Sequence, residues 1–455
     1  MRFIRLFFLS GRWKLALLVA VVYVLAIGII HTRRNGKKVE VKGQIYYSKY
    51  CAWNDGIDAS EVGWYEMRLC YRIASNPPIA PTSAPTIEEW KIRINGSRKG
   101  LRFEDLATIP DAEWLNDFDR SVYQLYPQAI PMRATLQTLV NDEPISQPPI
   151  FNPRIRFLKV PANACSPFEP TQVLFRVPRP RSHPYVVIVY KSGVYDFEER
   201  RHLRQLYHFS HTNIPIHLVF SVGLPRTSLS NVFQRDGFNV TLRNRAGQKL
   251  LQHSKHPSTT RQMLSEEMRD HEDLLVGDYE DSYYNLSLKL FHTFQWAARF
   301  CRPYNPTFVF LDDDYAVNLN KLIHFLLGLT PQLRENLSHG YDVRVNPVFR
   351  IGSSIYPQWS FSKGEIPWPM HTPEHLGIYS LWSYRHVHDM ALAMHFTKPM
   401  VIDDTWLAMV QYKLNLTFTR LHGMFFHPSQ SFAQIQCSDL FFAPISVFHQ
   451  LNCTL

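Results

Sequence analysis

Apolar residues follow two different periods along this chain, and these periods predict its secondary structure. From about residue 184 onward, short uninterrupted apolar runs alternate with stretches in which apolar residues recur every three or four positions. The uninterrupted runs predict buried strands at 185–190, 216–220 and 307–311. The periodic stretches between and after them predict helices. This alternation predicts an α/β domain with a largely parallel sheet.

Three helices follow from capping residues and spacing. A charged helix is predicted over 198–207, between the first two strands. Asp281 or Ser282 can cap a longer helix that runs to about Cys301 with apolar residues at four-residue spacing. Asn318 is placed to cap a third helix just after the third strand.

The N-terminus carries a different pattern, which predicts a membrane anchor. Residues 15–30 are uncharged and almost wholly apolar, with basic residues on both sides. As a helix this run would span about 24 Å at ~1.5 Å per residue, close to the thickness of a thin bilayer. We predict a cytoplasmic tail over 1–14, an uncleaved signal anchor over 15–30, a stem over 31–183 and a folded C-terminal domain over 184–455. A cleaved signal peptide is the alternative for the apolar run.

Composition adds two points to this picture. The stem is rich in proline, which favours extended spacers over regular structure, although tryptophans within it indicate some packing. The net charge of +10 comes from 49 Lys and Arg against 39 Asp and Glu. These basic residues are spread along the chain and match no nucleic-acid-binding motif, so we expect no nucleic-acid partner.

Sequons and cysteines predict the orientation of the anchor. All the Asn-x-Ser/Thr acceptors lie C-terminal to it, which fits a lumenal C-terminal part. They are Asn95, Asn239, Asn285, Asn336, Asn415 and Asn452. The six cysteines are even in number and widely spaced, which predicts up to three disulfides in an oxidising lumen, with Cys51–Cys70 favoured only by proximity.

Two clusters of carboxylates are candidates for chemistry. Asp312, Asp313 and Asp314 directly follow an apolar strand, where α/β sheets bind ligands, and adjacent carboxylates suit a hard divalent cation. The alternative is a solvated loop before a helix. Asp403 and Asp404 follow a second apolar stretch, and one of them can act as a general base. The alternative there is that Asp403 simply caps a helix over 405–414.

Weaker candidates surround these clusters. Arg200 and Arg204 share one helix face, where they can meet either phosphate or a structural carboxylate. His422 or His427 can add an imidazole ligand to a metal, or serve as an ordinary polar residue. The aromatic stretch 368–379 suits a sugar platform, and core packing explains it equally well.

The order of these motifs resembles the β-1,3-galactosyltransferase and β-1,3-N-acetylglucosaminyltransferase family. The resemblance covers roughly 184–430 and rests on five segments. They are 186–207, 277–289, 312–314, 373–380 and 403–406. It implies a GT-A type fold, a Rossmann-like sandwich that binds a UDP-sugar through Mn²⁺ or Mg²⁺.

The resemblance also implies roles for individual residues in an inverting hexosyltransferase. Asp404 would be the base, and the metal would be held by Asp312 and Asp314, with His422 as a further ligand. The donor side would be lined by a larger set. It consists of Arg200, Arg204, Asp281, Lys289 and Asp313. The acceptor side would include Trp368, Gly377 and Tyr379.

These implications give a functional prediction with alternatives. The expected activity is transfer of galactose, or N-acetylglucosamine, from UDP to a glycolipid or glycoprotein glycan in β-1,3 linkage, in the Golgi membrane. Tyr207 and Phe310 replace the tryptophan and lysine of the family pattern. These departures support an alternative, a catalytically inactive lumenal binding protein. A phosphate-ester hydrolase that uses the Asp triplet is a second alternative.

Overall fold

The strands and helices alternate through most of the chain. The computed structural model describes residues 64–74, 103–114, 118, 120–126, 130–166 and 183–453, with gaps in the last range at 208, 210–211, 229, 254, 343–344 and 427–434, together with the backbone of five further short strands. The described strands are β1 (Val39–Val41), β2 (Gln44–Tyr46), β3 (Asn54–Gly56), β4 (Trp64–Met67), β5 (Arg93–Ile94), β6 (Ser97–Arg98), β7 (Ile155–Lys159), β8 (Val186–Lys191), β9 (Ile216–Leu224), β10 (Val232–Arg235), β11 (Phe238–Thr241), β12 (Leu274–Glu280), β13 (Thr307–Asp312), β14 (Tyr315–Val317), β15 (Ser338–Asp342), β16 (His375–Ser383) and β17 (Phe442–Pro444).

The helices lie mostly in the second half. The described α-helices are α1 (Asp111–Trp114), α2 (Met132–Val140), α3 (Phe197–Leu206), α4 (Arg245–His253), α5 (Pro257–Asp270), α6 (Leu286–Phe300), α7 (Leu319–Leu327), α8 (Pro331–Arg334), α9 (Tyr384–Met394), α10 (Asp403–Lys413) and α11 (Ile445–Gln450). Among the described residues, none of these helices has the length and apolarity to span a bilayer. The predicted anchor at 15–30 lies outside the described residues and stays a prediction.

One large mixed sheet organises the molecule. Its nine strands run in the order β15-β16-β13-β8-β9-β12-β7-β4-β3. The four central strands, β13, β8, β9 and β12, are parallel to one another, and the flanking pairings are antiparallel. The α/β class is therefore confirmed, while the prediction of a largely parallel sheet is correct only for the centre.

The central strands bury both faces, which explains their uninterrupted apolar sequences. On β8, Val187 and Val189 pack into one hydrophobic cluster, and Ile188 and Tyr190 pack into the other. Successive side chains of a strand point to opposite faces, so each strand supplies both cores. A strand with helices on both faces has no solvent side, and polar residues are excluded from it.

Part of the predicted stem is built into this sheet. β4 pairs with β7, and β7 pairs with β12, so residues before 184 extend the sheet. Cys165 forms a disulfide with Cys301 at the end of α6, and the Cys165 side chain is buried in the same core. The sequence did not predict these strands for two reasons. The segments between them are rich in proline, and each strand has too few residues to show a period. The boundary at 184 stays a prediction, but folded structure begins before it.

The other disulfides follow the prediction in part. Cys437 and Cys453 are bonded to each other. Cys70 is disulfide-bonded as well, but Cys51 lies outside the described residues, so the predicted Cys51–Cys70 pair is untested.

Candidate functional site

The Asp triplet lies at the carboxyl end of β13, at the centre of the sheet. β8 ends beside it, and the backbone register pairs Asp312 with Lys191. Together with α4, α6 and the turn at Tyr283–Asn285, these strand ends enclose a cavity of about 250 Å³. All three carboxylates of the triplet line it, as do Asp281 and Lys289. A ligand at this edge would contact several elements at once, as is usual in α/β sheets.

Lys191 joins the two acidic motifs. Its Nζ lies 3.1 Å from Asp312 Oδ1 and 2.9 Å from Asp403 Oδ2. Asp403 is the first residue of α10, whose N-cap residue is Ile402, and the Asp403 carboxylate binds Lys191, so the capping alternative is not supported. The segments 312–314 and 403–404, about ninety residues apart in sequence, are thus brought together by one ammonium group.

Asp404 sits next to this pair in a tight environment. Its Oδ1 accepts a hydrogen bond of 2.8 Å from the Thr405 backbone N–H. A Cβ on Gly377 would lie only 3.2 Å from Asp404 Cβ and 3.4 Å from Lys191 Nζ, so a larger residue here would require Asp404 or Lys191 to shift. Burial and the charge of Asp403 raise the pKa of Asp404 to about 6, against the opposing effect of Lys191.

A further carboxyl lies within electrostatic range of Asp404. Glu374 Oε2 is buried and has no hydrogen-bond partner among the described residues. Burial, reinforced by Asp404, raises the pKa of Glu374 well above its ordinary value. Burial and mutual repulsion therefore favour the binding of a proton by this pair of neighbouring carboxyls.

Burial and neighbouring negative charges also raise the pKa values of the triplet carboxylates. Burial raises the pKa of Asp312 to about 7, with Lys191 opposing the shift and Asp314 and Asp403 adding to it. Burial and Asp196 raise the pKa of Asp313 to about 6. Burial raises the pKa of Asp314 as well. A divalent cation would relieve this accumulation of negative charge, and its preferred ligands are oxygens.

The metal stays a prediction that rests on the type of ligand, the carboxylate oxygens of the Asp triplet, and not on a preformed metal site. Within the described part of the chain, no group of three or more His, Cys, Asp or Glu side chains is arranged as a metal cluster. Asp314 is exposed at the cavity, and Asp312 is half-buried beside it. His422 lies in an exposed turn and is not among the residues that line the cavity, and His427 lies outside the described residues. A histidine ligand stays a prediction.

Asp313 has a different environment from its neighbours. Its Oδ1 lies 3.0 Å from Arg245 Nη1. Its Oδ2 accepts a hydrogen bond of 3.1 Å from Ser192 Oγ. Asp313 is thus tied to α4 and to the turn after β8, and it orients the triplet from behind.

The residues predicted for the donor side divide into two groups. Lys289 Nζ lies 2.9 Å from Asp281 Oδ1, and the Gly223 backbone N–H donates to Asp281 Oδ2 at 2.9 Å. Both side chains are buried in the cavity wall, where they fix its shape. The other two residues, Arg200 and Arg204, are not among those that line the cavity.

The structure corrects the donor-side prediction for these arginines. Arg200 is fully buried and binds Glu267, with Nη2 to Oε2 at 2.7 Å, and it also donates to the Gly193 carbonyl. Arg204 binds Glu267 and Asp273. The structural-carboxylate alternative is the one that the geometry supports. Through Gly193, Arg200 stabilises the turn that lines the cavity.

Two acceptor-side residues are corrected as well. Trp368 and Tyr379 are each only 1% exposed, so neither ring has a face open to a sugar. Trp368 packs against Tyr123 and Tyr126, and Tyr379 stacks on Phe442. Core packing, the alternative reading of this stretch, accounts for both. Gly377 alone of the three lies beside Asp404.

The sequons are accessible to different degrees. Asn239, Asn336, Asn415 and Asn452 are exposed, while Asn285 is half-buried and its Nδ2 donates to the Glu280 carbonyl. Asn95 lies outside the described residues. Glycosylation at each of these positions stays a prediction.

Comparison with known proteins agrees with this arrangement. Residues 250–422 match the family model described as Galactosyltransferase. This segment of the chain is therefore similar to galactosyltransferase domains. The matched range contains the Asp triplet, Asp404 and Gly377. The resemblance stated from the motifs is therefore confirmed.

The relatives that this chain matches carry names with three different sugars. The human UDP-GlcNAc:betaGal beta-1,3-N-acetylglucosaminyltransferase 9 is 27% identical over 52% of this chain and 54% of its own length. The mouse beta-1,3-galactosyltransferase 2 is 37% identical, but over only 18% of this chain and 19% of its own. The human UDP-GalNAc:beta-1,3-N-acetylgalactosaminyltransferase 1 is 26% identical over 52% of this chain and 73% of its own. The chain thus spans about half the length of the first of these relatives.

Two cations of the site escaped the sequence analysis as functional candidates. Arg245 contacts Asp313 and Asp196, and Lys249 contacts Glu199 with Nζ to Oε1 at 3.0 Å. Both lie on α4 and line the cavity. They are one helical turn apart, and this was the available signal. Lys191 falls within the segment 186–207 of the family resemblance, but nothing in the sequence shows that it contacts both acidic motifs.

The buried Arg200–Glu267 pair gives a stability prediction. Glu267→Gln removes the charge that both Arg200 and Arg204 bind, and we expect a loss of roughly 3–5 kcal/mol in unfolding free energy. Burial alone would raise the pKa of Glu267, but the two guanidiniums hold it below its ordinary value, which shows that the charged form is the stable one. Chemical denaturation of the full-length chain measures the difference.

The neighbouring Glu266 supplies a matched control. Its side chain accepts a hydrogen bond from the exposed Gln262 on the same helix, so Glu266→Gln should change the free energy of unfolding by less than about 0.5 kcal/mol. Equal effects of the two substitutions would contradict the structural role of Glu267.

Proposed function

We propose that this chain is an inverting hexosyltransferase that moves a hexose from a UDP-sugar to a glycan hydroxyl in β-1,3 linkage. The observation that carries the proposal is the Lys191 bridge, which places the Asp404 side of the site next to the Asp triplet. The confirmed family and the names of the relatives support the donor class and the linkage. The central mixed sheet is consistent with a GT-A type fold.

The reaction can be written with a donor bound in the cavity and Asp404 beside it. The acceptor hydroxyl attacks the anomeric carbon of the bound donor while Asp404 takes its proton. A new bond forms between the acceptor oxygen and the anomeric carbon, and the bond from that carbon to the phosphate oxygen breaks on the opposite face. UDP leaves with the bonding electrons, so an α-linked donor gives a β-linked product.

The remaining residues position the reactants. Arg245 and Lys249 are cations at the cavity wall, where they would meet the diphosphate once it displaces their present carboxylate contacts. Asp314 and Asp312 would hold Mn²⁺ or Mg²⁺, and such an ion supplies charge neutralisation for the departing diphosphate. Asp281 and Lys289 keep the cavity wall in shape through their mutual ion pair.

The two family departures are both structural in this fold. The Tyr207 hydroxyl lies 2.7 Å from the Tyr190 hydroxyl and accepts a hydrogen bond from the Val317 backbone N–H. Phe310 stacks on Phe294 at 5.0 Å between ring centroids. Because each residue fills a place behind the site, neither departure favours the inactive alternative.

We extend the proposal to topology, with galactose as the first donor to test and N-acetylglucosamine second. The predicted anchor at 15–30 and the sequons C-terminal to it support a type II protein of the Golgi membrane with its catalytic part in the lumen. The acceptor would be the glycan of a glycolipid or glycoprotein.

The proposal is tested by turnover of a panel of UDP-sugars. The full-length chain in mild detergent is incubated with Mn²⁺ and each donor, and release of UDP is followed with and without EDTA. Turnover of one donor that EDTA abolishes supports the transferase and names its sugar. Failure of UDP to bind in the presence of Mn²⁺ would overturn the proposal, and release of inorganic phosphate from simple phosphate esters would favour the hydrolase alternative.

The pH dependence of turnover follows from Asp404. A general base acts only when deprotonated, so with its pKa raised to about 6 the rate should fall as pH drops through about 6. Asp312, whose pKa is raised to about 7, competes for protons in a similar range but acts through the metal. A higher Mn²⁺ concentration should therefore shift the loss of turnover caused by protonation of Asp312 to lower pH. The loss of turnover caused by protonation of Asp404 should stay near pH 6. An acidic limb near pH 4 would contradict this assignment.

A further inference from the structure

Exposed aromatic rings cluster beside the site. Among the described residues, Phe349, Tyr356 and Trp359 are each 40–44% exposed, and Ile355 beside them is 82% exposed. The ring centroids of Tyr356 and Trp359 are 5.1 Å apart, and those of Phe349 and Tyr356 are 5.6 Å apart. These three rings, here called the aromatic platform, form a continuous apolar surface of a kind that marks a binding site.

The aromatic platform connects directly to the catalytic groups. Trp359 Nε1 donates a hydrogen bond of 2.7 Å to the Tyr283 hydroxyl, and Tyr283 lines the cavity with the Asp triplet. Burial and the charges of Asp404 and Asp403 raise the pKa of Tyr283, which places this hydroxyl within electrostatic range of the proposed base. The platform therefore begins where the acceptor hydroxyl would have to lie.

The platform is also held on a fixed base. Arg350 binds Asp111 through two hydrogen bonds of 2.7 and 2.8 Å, and Lys363 binds the same carboxylate at 2.8 Å. The Phe361 backbone N–H donates to the Phe349 carbonyl at 2.7 Å. Rings that are already fixed lose little conformational entropy when they bind a ligand.

We propose that the aromatic platform is an acceptor subsite, which binds the pyranose ring next to the one that carries the attacked hydroxyl. The proposal rests on the proposed function. A pyranose presents a face of C–H groups that packs on an aromatic ring, while its hydroxyls remain free at the edge. Trp359 and Tyr356 take the place of Trp368 and Tyr379, whose rings are buried.

The expected ligand follows from the position of the aromatic platform beside Tyr283 and Asp404. A ring bound at Trp359 leaves the preceding ring of the same glycan near Tyr283 and Asp404, so an acceptor of at least two sugars spans both places. A monosaccharide bound with its hydroxyl near Asp404 would not reach Trp359. The platform is expected to raise the affinity for a disaccharide over the matching monosaccharide by about tenfold.

Ligand-observed NMR titration of the full-length chain in detergent tests this, with UDP and Mn²⁺ present. The probes are methyl β-galactoside, lactose and N-acetyllactosamine, chosen because one relative's name specifies a β-galactose acceptor. Wild-type protein should bind the disaccharides about tenfold more tightly than the monosaccharide. Trp359→Ala and Tyr356→Ala should each remove most of that difference.

Two further variants separate stacking from folding. Trp359→Phe keeps an aromatic face but loses the Tyr283 hydrogen bond, and it should retain most of the preference for disaccharides. Leu333→Ala removes a side chain of similar exposure on α8 and should change nothing. Equal binding of mono- and disaccharides by wild-type protein, or an unchanged preference in both alanine variants, would overturn the proposal. Loss of UDP binding in wild-type protein would instead count against the proposed function.

Discussion

Asp404→Asn is expected to lower kcat by about 10²–10⁴-fold, because it removes the group that takes the acceptor proton. Donor binding should not change, since the residues that line the cavity include the Asp triplet but not Asp404. The measurement is a comparison of transfer rate with the affinity for UDP in the presence of Mn²⁺. A variant that loses UDP binding together with turnover would contradict the role of base.

The same substitution should leave the protein as stable as the wild type, or make it more stable. The pKa of Asp404 is raised in the folded state, so its contribution to stability is present at low pH and is lost as pH rises through about 6. A neutral asparagine of the same size does not carry the cost of burying a charge. The midpoint of thermal unfolding at pH 8 should therefore be equal to or above that of wild type, opposite in direction to the loss of activity.

A distant aspartate serves as the control. Asp270 is exposed at the end of α5, where it contacts Arg269, and Asp270→Asn should affect neither turnover nor stability. If Asp270→Asn lowered the rate as much as Asp404→Asn, the effect would be one of net charge and not of proton transfer.

Lys191→Met is expected to have the second-largest effect, on stability and activity together. Methionine fills a similar volume but leaves Asp312 and Asp403 without the ammonium that lies between them. Breaking a buried pair costs about 3–5 kcal/mol, and because Asp312 is 36% exposed we expect a value near the lower end, about 3 kcal/mol. Chemical denaturation measures it.

The activity of this variant should depend on pH more steeply than that of the wild type. Lys191 lowers the pKa values of both Asp312 and Asp404, so its removal raises them further. The deficit in turnover should consequently be greater at pH 6.5 than at pH 8, and additional Mn²⁺ should restore part of it. A deficit that does not vary with pH would show that Lys191 acts only through folding. Lys321→Met, on α7 and away from the acidic motifs, is the control.

Much of the central domain could be predicted from the sequence. The three strands were found within one to four residues of their observed ends, and the Asn318 cap is present, with its side chain accepting from the Lys321 backbone N–H. These features depend on local sequence: burial on both faces demands an apolar run, and a helix N-terminus demands an acceptor. The short strands β4 and β7 were missed because pairing, not local preference, makes them strands.

The candidate site was predictable in its carboxylates but not in its partners. Asp312–Asp314 and Asp403–Asp404 carry a recognisable sequence pattern, and Asp312 and Asp403 from these two motifs both contact Lys191. For Arg200 the pattern is ambiguous, because an arginine four residues from another arginine can face either a phosphate or a carboxylate. Glu267 decides between them, and its proximity comes from the packing of α5 against α3.

By itself, the sequence determined the alternation of elements, the family and the acidic motifs, since each of these is written in neighbouring residues. The tertiary structure alone decided which aromatic rings are open to a ligand, which cations are already paired, and that Lys191 lies between two motifs about ninety residues apart. Exposure and ion pairing are properties of the space around a side chain, and that space is filled by residues distant in the chain. Trp359 and Trp368 show this most simply, since one ring is 44% exposed and the other 1%, although only nine positions separate them.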